Sequence, residues 1–162
     1  MSSLCLATVV YDQNPSFTDD YVQSVLAQTD IDFDLLVCND GMKNFSEFKR
    51  RITGKRIYET APRTTRFGHR LALIDAAVKN GFESLIFYDF DDVMPEDYIA
   101  AMRNHRSADF VVSDLSAIDK KGTLLDESIW AQRLKDRARI TAEHLRDFNM
   151  AGFGNTMLNL KR

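Results

Sequence analysis

Hydrophobic and polar positions fall into short blocks whose period switches between that of a strand and that of a helix. Leu4 to Tyr11 is a run of β-formers that stops at the turn signal Asn14-Pro15. Thr18 then stands as an N-cap, with Asp19 and Asp20 in a first turn where the helix dipole favours acids. Tyr21, Val22, Val25 and Leu26 recur at helical spacing, which predicts a helix to about Gln28. Phe33 to Cys38 reads as a buried strand ending at Asn39-Asp40-Gly41. Ser46 caps a short helix through Ile52, and Arg56 to Glu59 is a weaker strand. Gly68 to Asn80 is predicted helical, with Leu71, Ile74, Ala77 and Val78 inward and Gly81 as its stop. An apolar strand from Leu85 to Tyr88 follows, then a helix from about Glu96 behind Pro95.

Beyond that helix the pattern loosens. Asp109 to Ser113 is a strand, and Ile118 to Leu125, turning at Lys121-Gly122, is a hairpin or an irregular excursion. Ile129 to Ala138 is a charged amphipathic stretch, Thr141 to Phe148 a capped short helix, and Thr156 to Leu160 a last strand. Strands alternating with helices predict an α/β fold, a mostly parallel sheet with helices on both faces. A length of 162 residues suits a single domain spanning 1–162.

Composition narrows the function classes. A formal net charge of −3 and the lack of a basic stripe give no electrostatic reason to expect nucleic acid. Cys5 and Cys38 lie in predicted strands and are expected as reduced core thiols. No run approaches the ~18–20 apolar residues of a membrane span, and the N-terminus lacks a signal layout, so a cytoplasmic location is expected. Neither G-x-G-x-x-G nor a Walker sequence occurs, and Gly152-Phe153-Gly154 opens no helix. His69, His105 and His144 show no metal-ligand spacing and read as ordinary surface or helix-end residues. A nucleophile elbow is also lacking.

The chemistry concentrates after Tyr88, where Asp89, Asp91 and Asp92 crowd together. The carboxyl ends of strands are where open α/β sheets bind ligands. Three like charges this close repel one another unless a cation or a donor-rich ligand offsets them. All-oxygen donors suit Mg²⁺ or Mn²⁺, which usually bridge to phosphate, so a metal–diphosphate site is expected. The bland alternative makes Asp92 a turn or capping residue and Asp89 a solvated strand end. Asp40 closes a neighbouring strand and would face the same crevice, able to accept from a base N–H or a ribose hydroxyl. As half of an Asp-Gly turn it also needs no function. Arg63, Arg66 and Arg70 precede or open a helix and fit anion binding, with Arg70 best placed; a solvated basic loop is the alternative.

In their order, these segments resemble family 2 glycosyltransferases of the GT-A fold. Tyr11-Asp12-Gln13-Asn14 followed by Ser24-Val25-Leu26-Ala27-Gln28-Thr29 is similar to the family's opening. Phe33 to Gly41 resembles its second strand and acidic-Gly turn, with Asn39 where the family commonly has Asp. Tyr88-Asp89-Phe90-Asp91-Asp92 with Pro95-Glu96-Asp97 resembles its D-x-D strand and following helix. Ser113-Asp114, Ile118-Asp119 and Gly122, then Asn149 to Arg162, resemble the later strands.

The resemblance implies a nucleoside-diphosphate-sugar donor, of UDP or GDP type, and an unidentified acceptor. It implies donor-nucleotide contacts from Asp40, Arg70, Arg66, Asp89 and Tyr11. Mn²⁺ or Mg²⁺ would be held by Asp91 with Asp89 or Asp92, stabilising the departing diphosphate during an inverting displacement. The family's catalytic base lies on a helix after the acceptor-side strand, and nothing through Arg162 corresponds to it. The expectation is therefore a C-terminally incomplete transferase, a partner-completed one, or a module that binds donor without transferring sugar. A rival resemblance exists too. Phe87 to Val93 resembles the first motif of haloacid-dehalogenase-type phosphatases, with Asp89 as nucleophile and Asp91 as acid/base. Those enzymes usually place that motif on the first strand, with Gly where Asp92 stands.

Overall fold

The computed structural model describes residues 2–129 and 154–161. Six strands form the main sheet: β1 Leu4–Val10, β2 Asp34–Asn39, β3 Ile57–Thr60, β4 Ser84–Tyr88, β5 Phe110–Val112 and β8 Asn155–Asn159. Their spatial order is β3-β2-β1-β4-β8-β5. β3, β2, β1 and β4 pair in parallel, and β8 runs antiparallel between β4 and β5. A separate hairpin joins β6 Ala117–Ile118 to β7 Leu124–Asp126, so the predicted excursion is a hairpin. Gly122 at its turn has φ +79°, a conformation that L side chains rarely adopt. The expected mostly parallel α/β sheet is what the chain forms. The amphipathic stretch beyond Ile129 and the Thr141–Phe148 helix lie outside the described residues.

Four helices are described: α1 Pro15–Leu26, α2 Phe45–Arg51, α3 Arg66–Lys79 and α4 Tyr98–Asn104. The chain steps outward from β1 to β3, then returns past β1 to β4. Parallel crossovers are right-handed, so that reversal sends α3 to the opposite face from α1 and α2. The two cores record this division. Tyr21, Val22 and Val25 of α1, Phe48 of α2 and Ile99 of α4 pack with Leu6, Leu35, Val37 and Ile86 on one face. Leu73 and Ala77 of α3 pack with Cys5, Ala7, Leu36, Cys38 and Phe87 on the other. Both cysteines are buried free thiols, as expected.

Three local readings need correction. The cap of α1 is Asn14, not Thr18: its side chain accepts from the Ser16 N–H at 3.1 Å, and Pro15 opens the helix. Proline has a fixed φ and no N–H to orphan, so the turn signal is itself the helix start. Likewise α2 starts at Phe45 behind Asn44, one residue before the expected Ser46 cap. The inward face of α3 is also rotated from the predicted one. His69, Ala72, Leu73 and Ala77 are buried, whereas Leu71 and Val78 are exposed. Leu73 and Ala77 pack there with Cys5, Ala7 and Cys38, and Ile74 lies partly buried against the same cluster.

Candidate functional site

The sheet reverses its winding between β1 and β4, and ligands of open α/β sheets bind outside the carboxyl ends at such a point. β1 ends at Val10-Tyr11, β2 at Asn39-Asp40 and β4 at Tyr88-Asp89. The Asp40 N–H donates to the Val10 carbonyl at 2.8 Å, and the Gln13 amide donates to the Phe90 carbonyl at 3.1 Å, which ties the three ends together. Asn39 Oδ1 accepts from the Met42 N–H at 2.7 Å, and Gly41, at φ +88°, completes the turn after Asp40. Lys43 pairs with Asp12 at 2.9 Å across the rim.

Alternation along β4 explains the acidic spacing. Phe90 is buried between Tyr21, Phe48 and Tyr11, with ring centroids 5.1, 5.5 and 5.9 Å away in edge-on geometry. Asp89 takes the opposite face, where Arg70 of α3 forms an ion pair with it. Arg70 also lies over the Phe87 ring, 5.6 Å from its centroid. The loop then folds back: the Asp92 N–H donates to the Asp89 carbonyl at 3.2 Å, and the Tyr88 hydroxyl donates to the Val93 carbonyl at 2.7 Å. Asp91 is exposed at its tip.

The first turns of α3 serve both acidic strand ends. Thr65 caps the helix, its hydroxyl accepting from the Gly68 N–H at 2.9 Å. His69 then stands 3.4 Å from Asp40 and the next residue, Arg70, meets Asp89. Of the two expected readings, surface or helix-end, His69 takes the second: it lies in the first turn of α3 with its side chain only 6% exposed. The Arg63 N–H donates to its Nδ1 at 3.1 Å, and the Cys38 thiol lies 3.8 Å from the same nitrogen. Burial and then Asp40 push that thiol up to about 11, so it is no nucleophile at neutral pH.

The crowded carboxylates shift one another's ionisation. Burial, then Asp89 and Asp91, push the Asp92 carboxyl up to about 6. Burial and then the Asp91 carboxylate hold the Tyr11 phenol above its ordinary range, while Arg66 pulls it the other way. Tyr11, Arg66, Arg70, Asp40, Asp89, Asp91 and Asp92 thus gather around one end of the sheet. Arg63 does not join them through its side chain, which pairs with Asp75 on α3.

Two further residues shape the site. Gly154, entering β8, is buried against Asp89: a Cβ there would meet Asp89 Oδ2 at 2.4 Å, closer than real Cβ atoms come. The sequence pattern singles out this glycine only as part of a loop unlike a phosphate motif. His69 is the second; its place one residue before the favoured arginine was its only signal in the sequence. Among the described residues, no three His, Cys, Asp or Glu side chains form a metal-ligand set. The three aspartates therefore make no closed protein cage. A cleft of about 170 Å³ lies beside this end, lined by Asp12, Gln13, Met42, Glu47 and Arg51 and not by Asp40, Asp89, Asp91 or Asp92.

No protein-family model matches the sequence, and no curated protein is similar to it. Solved structures are. TarS 1–349 from S. aureus aligns with 99% of this chain and 47% of its own, at TM-score 0.69 and 14% identity. The chain thus spans about half the length of that structure. The same protein in complex with UDP-GlcNAc aligns at TM-score 0.65 and 13% identity, over 99% of this chain and 46% of its own. The mannosyltransferase PcManGT from Pyrobaculum calidifontis, in complex with GDP-Man and Mn²⁺, aligns at TM-score 0.54 and 15% identity, over 71% of this chain and 36% of its own. With the strand order and the acidic end of β4 already described, these likenesses show that the chain has the GT-A fold of nucleotide-diphospho-sugar transferases.

Proposed function

We propose that this chain binds a nucleoside-diphosphate sugar at the carboxyl ends of β1, β2 and β4 and serves in glycosyl transfer to an acceptor of unknown identity. One observation carries the reading: Asp40, Arg70, Asp89 and the Asp91–Asp92 pair meet at the point where the sheet reverses its winding. The similar structures holding UDP-GlcNAc and GDP-Man with Mn²⁺ support it.

The donor set fits a hard divalent ion. Mg²⁺ and Mn²⁺ sites of this kind take one or two carboxylates and complete their shell with water and phosphate, so a closed protein cage is not required. Arg70 already neutralises Asp89, which leaves Asp91 and Asp92 to hold the ion. When bound, the ion would supply Lewis-acid stabilisation of charge on the leaving diphosphate. Asp89, steadied by Arg70 and packed under Gly154, fixes the loop that presents Asp91. Arg66 and Arg70 offer guanidinium donors to phosphate oxygens, and Tyr11 lies beside Asp91 where its hydroxyl can meet the same ligand. The inverting course stays part of the proposal, with the catalytic base unassigned. A phosphatase role for Asp89 is disfavoured by its ion pair, since a nucleophilic carboxylate must be open to attack phosphorus.

Calorimetry of the chain with UDP or GDP in the presence of Mn²⁺ tests this. Binding is expected, and Asp91→Ala should remove its Mn²⁺ dependence with at least a tenfold loss of affinity. Unchanged Mn²⁺ dependence in that variant places the ion elsewhere, and failure of both nucleotides to bind refutes the donor site.

A further inference from the structure

The cleft of about 170 Å³ between α1 and α2 is lined by none of the carboxylates that end β2 and β4. A water takes up roughly 30 Å³ in the liquid, and a pocket for a drug-sized ligand about 300–1,000 Å³. By size the cleft suits one small ring rather than an ion, a water or a whole nucleotide. Pro15, Met42 and Phe48 give it an apolar wall. Phe48 is fixed from behind by Phe90, the two rings edge-on with centroids 5.5 Å apart. The polar side is unevenly used. Asp12 is neutralised by Lys43 at 2.9 Å and Arg51 by Asp19 at 2.7 Å. Arg51 therefore does not serve Glu47, which stands four residues earlier on the same helix, the usual spacing for such a pair. Among the described residues the exposed Glu47 carboxylate has neither an ion pair nor a hydrogen bond. Asn44 caps α2 through its backbone alone: its carbonyl accepts from the Glu47 and Phe48 N–H groups, each at 3.0 Å, and its side chain makes no cap hydrogen bond.

A carboxylate and an amide beside an apolar wall suit a ring with hydroxyls on its rim and C–H groups on its face. The carboxylate accepts from hydroxyls, the amide both donates and accepts, and Met42 and Phe48 cover the C–H face. An anion would meet the charge of Glu47. A purely apolar ligand would strip water from that carboxylate and replace it with nothing. We propose that the α1–α2 cleft is a subsite for a single neutral sugar ring, separate from the nucleotide-binding end of the sheet. The proposal goes beyond the donor-binding reading and does not depend on it.

The test is saturation-transfer NMR of the 162-residue chain with the methyl glycosides of glucose, galactose, mannose and N-acetylglucosamine. At least one should bind, with Kd on the order of 1–10 mM for a single ring with few polar contacts, and its ring C–H protons should take the strongest saturation. Glu47→Gln should weaken that sugar at least tenfold, the effect of a charge-assisted hydrogen bond. Asn44→Ala should weaken it about fivefold and leave the urea midpoint unchanged, because the side chain it removes caps nothing. UDP with Mn²⁺ should not displace the sugar. Failure of all four glycosides to bind, or wild-type sugar affinity in either variant, overturns the subsite. So does displacement by UDP with Mn²⁺, which would put the sugar at the strand ends. Methylamine binding in preference to every glycoside also overturns it and makes Glu47 a cation site. Nucleotide binding itself is read by the separate titration of UDP and GDP, so the two readings fail independently.

Discussion

Asp92 shows how a single side chain can hold stability in reserve for a ligand. Its folded carboxyl titrates at about 6, against an ordinary carboxylate value near 4. The folded chain thus binds the proton more tightly than the unfolded chain does between those values. Stability is unpenalised below about pH 4, falls as pH rises to about 6, and stays reduced above it. Asp92→Asn should flatten that slope and raise stability at pH 7 by roughly 1 kcal/mol after solvent screening, with no gain at pH 3.5. Thermal unfolding across pH measures both. Gly154 is the opposite case, a residue defined by what it lacks. Its Cβ position is filled by the Asp89 carboxylate, which Arg70 holds in place. Gly154→Ala should lose about 1–3 kcal/mol in urea unfolding and weaken nucleotide binding at least tenfold. Alanine at wild-type affinity would mean that Asp89 moves without consequence.

At the scale of elements, α3 is the part on which the site depends. It presents His69 and Arg70 to two different strands, and its register is set by the Thr65 cap. Thr65→Ala should destabilise the chain by about 1 kcal/mol, and the loss of nucleotide affinity should exceed that of an equally destabilising change on α4. Equal losses would show that α3 acts only through global stability. Period alone placed the inward face of this helix only in part. Ala77 is buried and Ile74 packs partly buried against the core as expected, whereas Leu71 and Val78 face outward and Leu73 takes the buried position instead. The buried face carries Leu73, two alanines and His69, and the histidine is the member that no hydrophobic pattern marks.

Across the whole molecule, the loop after β4 is tied to α1, distant in sequence, by one buried glutamine. The Gln28 amide donates to the Pro95 carbonyl at 2.7 Å and the Ser24 carbonyl at 3.0 Å, and its oxygen accepts from the Ile99 N–H at 3.0 Å. Arg103 reinforces the same junction through Asp30 at 2.5 Å. Gln28→Ala orphans buried backbone groups on both sides and should cost about 2–3 kcal/mol, read as a shift in the urea midpoint. A shift below roughly 0.5 kcal/mol, the size of a surface-substitution effect, would show that water replaces the side chain without loss.

The parts of this protein legible from sequence are those set by local rules. Alternation of side chains along β4 explains why Phe90 enters the core while Asp89 takes the other face, and the strand-end positions of Asp40 and Asp89 follow from where apolar runs stop. Parallel strands joined by helices follow from the switching period. What only the tertiary structure decided depends on chain segments distant in sequence. The antiparallel seat of β8 between β4 and β5, the closeness of Gly154 to Asp89, and the contact of His69 with Asp40 are of this kind. Their physical cause is the same in each instance: hydrogen-bond pairing and packing bring together residues whose own neighbours in the chain carry no record of the meeting.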